Sequence, residues 1–164
     1  MKRFKKKNLK SINEEKELIK FLSSVALFEN LTHNERKNLR QYIYVRNFKA
    51  GEQVFKRGYP NVICYIVKEG ELNVYLEIED KSHVLNTLYP FDFFGEIGLF
   101  LDEKRTASAV AVKDSVLLGV SKKDLANFID RFPRAGTKIL YKSGEILSKH
   151  IIKLNKELIE GKEK

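Results

Sequence analysis

Residues 94–108 decide how the rest of the chain is interpreted: Phe94-Gly95-Glu96-Ile97-Gly98-Leu99-Phe100-Leu101-Asp102-Glu103-Lys104-Arg105-Thr106-Ala107-Ser108. The aromatic residue before Gly95 suits the end of a strand, and the glycine permits a tight turn into a short helix that begins at Glu96. The unpaired N–H groups and the dipole at a helix start favour an anion. Arg105 follows nine residues after Glu96, and its planar guanidinium suits a phosphate. If the loop folds back, a carboxylate that accepts hydrogen bonds from hydroxyls and an arginine share one site, which suits a sugar phosphate.

The residues on both sides of this stretch predict β-structure. Residues 71–79 alternate between apolar and polar, as in a half-buried strand. Residues 62–67 form a continuous apolar run, which suits a strand covered on both faces. Further strand-like runs lie at 42–48, 53–56, 83–88, 91–94, 106–112 and 116–120. About eight short strands at this spacing indicate an antiparallel sandwich, barrel or jelly roll.

Helices are predicted before and after the β region. Thr32 and Glu35 form the pattern of a capping box. Ser121 has the position of another N-cap, and Pro133 suits the first turn of a long final helix. We expect a disordered basic leader at residues 1–10 and one domain over residues 11–164, with a helical entry at 11–40, a β-roll at 41–120 and C-terminal helices at 121–160.

The final helix carries an apolar stripe with the a/d spacing of a coiled coil. Its members are Leu140, Gly144, Leu147, Ile151, Leu154 and Leu158. The stripe predicts a homodimer formed through this helix. The alternative is that Leu140, Leu147 and Ile151 fold back on the β-core of their own chain.

Composition excludes several classes of protein. The chain has 31 lysines and arginines against 22 aspartates and glutamates, a formal net charge of +9. The first ten residues contain six of these basic residues and no acid. We interpret them as a solvated leader, with contact to nucleic acid or an acidic membrane as the alternative. No apolar run approaches the roughly 20 residues of a membrane span.

Neither catalysis nor metal binding is expected. His33, His83 and His150 are the histidines of the chain, and no two have the spacing of metal ligands. The single cysteine, Cys64, excludes an internal disulfide and favours a reducing cytoplasm. Because Cys64 lies in an apolar run, we expect it in the core and not as a nucleophile. The chain is therefore expected to be neither an enzyme nor the carrier of a metal or cofactor.

Residues 94–99 and 105–107 resemble the phosphate-binding cassette of the cyclic nucleotide-binding domain. This family occurs in bacterial catabolite activators, in protein kinase A regulatory subunits and in cyclic-nucleotide-gated channels. Its cassette has Phe-Gly-Glu-(Leu/Ile)-(Ala/Gly)-Leu and then Arg-(Ala/Ser/Thr)-Ala. Residues 50–58 resemble the family's glycine-anchored hairpin, and residues 65–75 resemble its central strand, turn and strand. The resemblance covers roughly residues 22–155. It implies a mainly β, α+β fold, an eight-stranded antiparallel jelly roll (double-stranded β-helix) with N-terminal helices and a long C-terminal helix.

The resemblance also implies roles for individual residues. Glu96 would accept hydrogen bonds from the ribose 2′-hydroxyl, and Arg105 would pair with the cyclic phosphate. Backbone N–H groups of Gly95, Glu96 and Ala107 would complete the phosphate cradle. Thr106 would reach the phosphate or the base, and Ile97 belongs to the same ligand-binding stretch.

The base is expected to contact the final helix, which covers the pocket in this family. His150 and Ile151 lie about where that helix would do so. A threonine after the arginine favours guanine in some eukaryotic kinases, whereas channels with the same Arg-Thr-Ala-Ser run can prefer cyclic AMP. We expect cyclic AMP as the ligand, with cyclic GMP as the alternative.

The expected function is a non-enzymatic sensor that transmits nucleotide binding through its C-terminal helix to a separate partner protein. The DNA-binding relatives continue into a winged helix-turn-helix, for which the residues after the final helix leave no room, so no DNA-binding domain is expected. The alternatives are a nucleotide-free scaffold that retains the fold, or a truncated Crp/Fnr-type transcription regulator.

Overall fold

The computed structural model describes residues 12–79 and 81–162, so the predicted leader at residues 1–10 lies outside the described residues. The helices are α1 (Ile12–Ser23), α2 (His33–Leu39), α3 (Ile97–Phe100), α4 (Lys122–Arg131) and α5 (Pro133–Lys162). Short 3₁₀ turns lie at Ala26–Phe28 and Arg40–Tyr42. The strands are β1 (Tyr44–Phe48), β2 (Gln53–Phe55), β3 (Ile63–Glu69), β4 (Leu72–Ile78), β5 (Lys81–Leu88), β6 (Phe93–Phe94), β7 (Ser108–Ala111) and β8 (Ser115–Ser121).

The helix starts follow the local signals of the sequence. Thr32 and Glu35 form both hydrogen bonds of the predicted capping box at the start of α2. The Ser121 hydroxyl accepts a hydrogen bond from the backbone N–H of Asp124, 3.0 Å away, and so caps α4. Helix α5 begins at Pro133, where the missing N–H of proline costs no hydrogen bond. These predicted starts are confirmed.

The strands form two four-stranded antiparallel sheets, with the orders β1-β8-β3-β6 and β2-β7-β4-β5. Each sheet keeps two edge strands, so the architecture is not a closed barrel. The prediction of a mainly antiparallel β fold with helices is confirmed. Strand β7 begins at Ser108 and not at Thr106. Before it, the N–H of Arg105 donates to the Tyr59 carbonyl at 2.8 Å.

Two apolar clusters hold these layers together. The first lies between the β1-β8-β3-β6 sheet and the helices, and includes Leu22, Phe28, Ile66 and Phe128. The second lies between the two sheets; its members include Phe48, Tyr65, Val67, Leu72, Phe94 and Leu117. Residues of β3 therefore pack on both sides of their sheet, as the continuous apolar run predicts.

Helix α5 is anchored at its beginning and exposed further along. Ile139 is buried, Lys138 Nζ lies 2.8 Å from a carboxylate oxygen of Glu35, and Lys142 Nζ lies 2.6 Å from one of Glu29. Leu140 and Ile151 are exposed, whereas Leu147 lines a small pocket with Leu27, Phe93 and Leu99 of the same chain. The alternative in which these residues fold back on their own β-core is therefore wrong for Leu140 and Ile151 but not for Leu147.

Candidate functional site

A cavity of about 270 Å³ lies between β4, β5, the α3 turn and α5. Small-molecule pockets are usually roughly 300–1,000 Å³, so this cavity suits a compact ligand. The structure brings seven of the eight sequence-predicted site residues to it: Gly95, Glu96, Ile97, Arg105, Thr106, Ala107 and His150. The eighth, Ile151, does not line the cavity, and 58% of its surface is exposed.

Arg105 is held by its backbone and by its side chain. Its N–H donates to the Tyr59 carbonyl and its own carbonyl accepts from the N–H of Gly58, both at 2.8 Å. The guanidinium turns inward, where Nη2 donates to the Ile63 carbonyl at 2.7 Å. Its Cζ lies 3.9 Å from the centroid of the Phe55 ring, a cation–π distance. These contacts fix the arginine before any ligand is bound.

The same guanidinium has unused hydrogen-bonding capacity. Arg105 is 5% exposed, yet its Nε and Nη1 have no hydrogen-bond partner among the described residues. Burial lowers the pKa of this guanidinium from its ordinary value, but arginine remains protonated because that value is so high. A buried cation with unpaired donors is unfavourable unless an anion joins it. The geometry therefore suits an anion with several acceptor oxygens, such as a phosphate.

Gly95 permits the arginine to occupy this position. Its φ is +74°, a left-handed conformation, and a Cβ at this residue would overlap Arg105 Nη1 and lie 3.3 Å from Cζ. Only glycine combines that backbone with that contact. The sequence predicted a turn at Gly95, and the structure adds its close approach to the guanidinium.

Glu96 occupies the N-cap position of the single turn of α3, where its side chain makes no capping hydrogen bond, and it lines the cavity together with Arg105. Its charge is close enough to support the protonated form of Arg105 and to contribute to the raised pKa of Cys64. A carboxylate and a guanidinium thus share one half-enclosed space, which suits a ligand that carries both hydroxyl and anionic groups.

Cys64 lies under the site as part of the core. It is 1% exposed, and burial raises the pKa of its thiol. The thiolate form is the nucleophile, so this residue is suited to packing, as expected from its apolar neighbours.

Sequence reasoning missed several residues of the site. Phe55 lies beneath the guanidinium, and Asn61 lines the cavity with a buried side chain. Val74, Leu85 and Leu88 of the β4–β5 hairpin add an apolar wall. Nothing in the local sequence marks Asn61, because its neighbours at the cavity belong to distant parts of the chain. Phe55 was missed because Arg105, which lies over its ring, is distant in the sequence.

Comparison with known proteins identifies the family. Residues 45–132 match the family described as the cyclic nucleotide-binding domain. The chain is 32% identical over 106 residues to a cAMP-dependent protein kinase regulatory subunit of Dictyostelium discoideum, covering 62% of this chain and 32% of that protein. It is 30% identical over 103 residues to a cGMP-dependent protein kinase of Plasmodium berghei, covering 63% of this chain and 12% of that protein.

A solved structure supports the same family. The catabolite activator protein of Thermus thermophilus superposes with a TM-score of 0.73 at 27% identity, covering 81% of this chain and 61% of that one. The chain belongs to the cyclic nucleotide-binding domain family. It spans about a third or less of the length of the two kinase relatives.

Within residues 12–79 and 81–162, no helix has the length and apolar character needed to cross a membrane. Within the same residues, no three side chains among His, Cys, Asp and Glu are grouped so as to hold a metal ion.

Proposed function

We propose that this chain is a non-enzymatic sensor that binds a cyclic nucleotide, cyclic AMP in preference to cyclic GMP, with no other cofactor. The observation that carries the proposal is the buried guanidinium of Arg105, whose Nε and Nη1 are unpaired beside the same cavity that Glu96 lines. Arg105 pairs with the cyclic phosphate and Glu96 accepts from the ribose 2′-hydroxyl. Backbone groups of Gly95, Glu96 and Ala107 supply further donors, and Ile97 and Thr106 complete this end of the pocket.

The two classes of relative do not distinguish the nucleotides, since a cAMP-dependent regulatory subunit and a cGMP-dependent kinase both match. The choice of cyclic AMP rests on the Arg-Thr-Ala-Ser run at residues 105–108. His150 is the contact to the base, because it reaches the cavity from α5.

Helix α5 is the output of the proposed sensor. A ligand shifts a helix only if it binds one helix position more tightly than another, and His150 gives the nucleotide a contact on α5. A separate effector protein binds according to the position of the helix.

The exposed stripe beyond the anchored part of α5 joins a second copy of the chain. Two features support the dimer: the stripe is exposed at Leu154 and Leu158, and a shallow groove at Gly144 leaves space for a facing helix.

The eight strands are compatible with the jelly roll of the family, and a cytoplasmic location fits the buried, reduced Cys64.

Calorimetric titration tests the proposal. Cyclic AMP and cyclic GMP are titrated separately into wild-type protein that has been unfolded and refolded to remove any carried-over ligand. Micromolar binding, about −8 kcal/mol, is expected, with cyclic AMP the tighter ligand. Arg105→Ala should weaken it at least about tenfold, because a charge-assisted hydrogen bond contributes roughly 1.5–3 kcal/mol.

Arg134→Ala is the matched control. It also removes one positive charge, but Arg134 is an exposed residue in the first turn of α5, away from the cavity. It should bind as the wild type does. Folded wild-type protein that gives neither heat nor a thermal shift with either nucleotide would leave the scaffold alternative, in which the fold persists without its ligand.

A further inference from the structure

The side chain of Asn61 has a buried polar atom that the fold leaves unused. Asn61 is 6% exposed, and its Oδ1 has no hydrogen-bond partner among the described residues. The same residue lines the cavity that holds Glu96 and Arg105. Buried polar atoms are normally paired, and an unpaired one in a cavity indicates a missing partner.

The backbone around Asn61 is fixed on both sides. Pro60 forms a β-bridge with Lys104, and the Val62 carbonyl accepts from the N–H of Lys122 at 2.9 Å. On its other side, Asn61 packs against Gly98 of α3, where a Cβ would overlap the Asn61 carbonyl oxygen. Asn61 is therefore held between the segment that carries Arg105 and the helical turn that follows Glu96. Its unpaired atom does not result from a loose loop.

The position of Asn61 shows which part of a ligand it can reach. The segment at Arg105 and the α3 turn are the two parts that bind phosphate and ribose in the proposed function. His150, the proposed base contact, enters from α5. Asn61 lies among the former groups, because it packs against Gly98 of α3 and its neighbour Pro60 is bridged to Lys104, next to Arg105.

The chemistry of Asn61 complements its neighbours. Arg105 only donates hydrogen bonds, and an ionised Glu96 only accepts them. A primary amide does both, and its oxygen and nitrogen exchange places by rotation of the side chain. It can therefore accept from a hydroxyl or donate to a phosphate or ring oxygen of the same ligand.

We infer that Asn61 is a ligand-binding residue that hydrogen-bonds the sugar-phosphate end of the nucleotide. This inference rests on the proposed function of the site. Because cyclic AMP and cyclic GMP share the same sugar-phosphate end, the contact raises the affinity for both by the same factor and does not select the base.

The test is a titration of both nucleotides into wild type, Asn61→Leu and Asn61→Ala, with a melting curve for each unliganded protein. Leucine is close in shape to asparagine but has no polar atoms. We expect each variant to bind cyclic AMP and cyclic GMP roughly three- to tenfold more weakly, with equal factors for the two nucleotides. The melting temperature of unliganded Asn61→Leu should equal or exceed that of the wild type, since an unpaired buried amide is removed. Asn47→Leu, at an exposed position of β1, is the control and should keep wild-type affinity.

Three results would overturn the inference. One is unchanged affinity in both folded variants. Another is a loss that differs between the nucleotides, which would place Asn61 at the base. The third is a lower melting temperature of both unliganded variants, which would assign Asn61 a structural role. Failure of wild-type protein to bind either nucleotide is a separate result, because it overturns the proposed function itself.

Discussion

The guanidinium of Arg105 lies over the ring of Phe55, with Cζ 3.9 Å from the ring centroid. Phe55 ends a three-residue strand of one sheet, whereas Arg105 lies in the segment between α3 and β7. The ring supports the cation from one face, while Nε and Nη1 have no hydrogen-bond partner among the described residues. An aromatic side chain in one part of the chain thereby orients the charged group of another.

Phe55→Leu tests this support. Leucine retains apolar volume but has no π face, and a desolvated cation–π contact contributes roughly 0.5–2 kcal/mol. The expected result is a roughly two- to thirtyfold loss of nucleotide affinity. Calorimetry measures it, with a circular dichroism spectrum to verify the fold. Wild-type affinity in a folded Phe55→Leu protein would contradict the orienting role of the ring.

A comparison of Gly95→Ala with Gly51→Ala should distinguish the cost of backbone strain from the effect of displacing the Arg105 guanidinium. A Cβ at Gly95 would overlap Arg105 Nη1, whereas one at Gly51 would meet no atom within 4 Å. Both glycines have positive φ, +74° and +80°, so either alanine should lower the free energy of unfolding by about 1–2 kcal/mol. Only Gly95→Ala should also weaken nucleotide binding. Denaturant unfolding and calorimetry on both variants test this, and equal loss of affinity in the two would refute it.

The hydrogen bond of Tyr44 predicts that the stability of the folded protein changes at alkaline pH. Its hydroxyl donates to Asp124 Oδ2 at 2.7 Å, and this hydrogen bond, with burial, raises the pKa of Tyr44 to about 12. An unfolded tyrosine ionises near pH 10. Between about pH 10 and 12 the unfolded state therefore binds fewer protons than the folded state, and stability falls as pH rises.

Comparison of melting temperatures with Tyr44→Phe isolates this effect. The advantage of the wild type over Tyr44→Phe should be complete below pH 10 and shrink toward pH 12. Tyr59→Phe removes an exposed hydroxyl and should keep the pH dependence of the wild type. A constant difference between wild type and Tyr44→Phe across this range would argue against the hydrogen bond to Asp124.

Leu154→Glu tests the proposed dimer. Leu154 lies on the exposed stripe of α5, and burying a carboxylate in a helix–helix seam is unfavourable. Sedimentation velocity should show a dimer for the wild type and a monomer for Leu154→Glu. Lys156→Glu also introduces a glutamate, at an exposed position off the stripe, and should stay dimeric. A wild-type protein that sediments as a monomer at high concentration would reject the dimer.

Local signals in the sequence predicted much of the fold. The capping box at Thr32, the cap at Ser121 and the proline at residue 133 act within a few residues, so their effect does not depend on the rest of the chain. The spacing of Glu96 and Arg105 likewise predicted which residues meet at the cavity. Glu96 and Arg105 both reach the cavity, and one motif contains both of them.

The remaining features depend on tertiary structure. The unpaired amide of Asn61 exists only because the segment at residues 58–62 is bonded to Arg105 and Lys122. The cation–π contact of Phe55 needs two elements from different parts of the chain. Sequence spacing also could not determine the orientation of α5, and so it grouped Ile151 with His150 at the base although only His150 lines the cavity.

His150 and Ile151 are neighbours in one helix, and the side chains of neighbours point about 100° apart. Any rotation of α5 that brings His150 nearer to a nucleotide turns Ile151 and the stripe by the same angle. In the proposed dimer, occupancy of the pocket and pairing of the helices are thus thermodynamically linked, and such linkage is reciprocal. The factor by which nucleotide changes the dimer equilibrium is also the factor by which dimer formation changes nucleotide affinity. The abundance of the protein in the cell would then help to set the nucleotide level at which it responds.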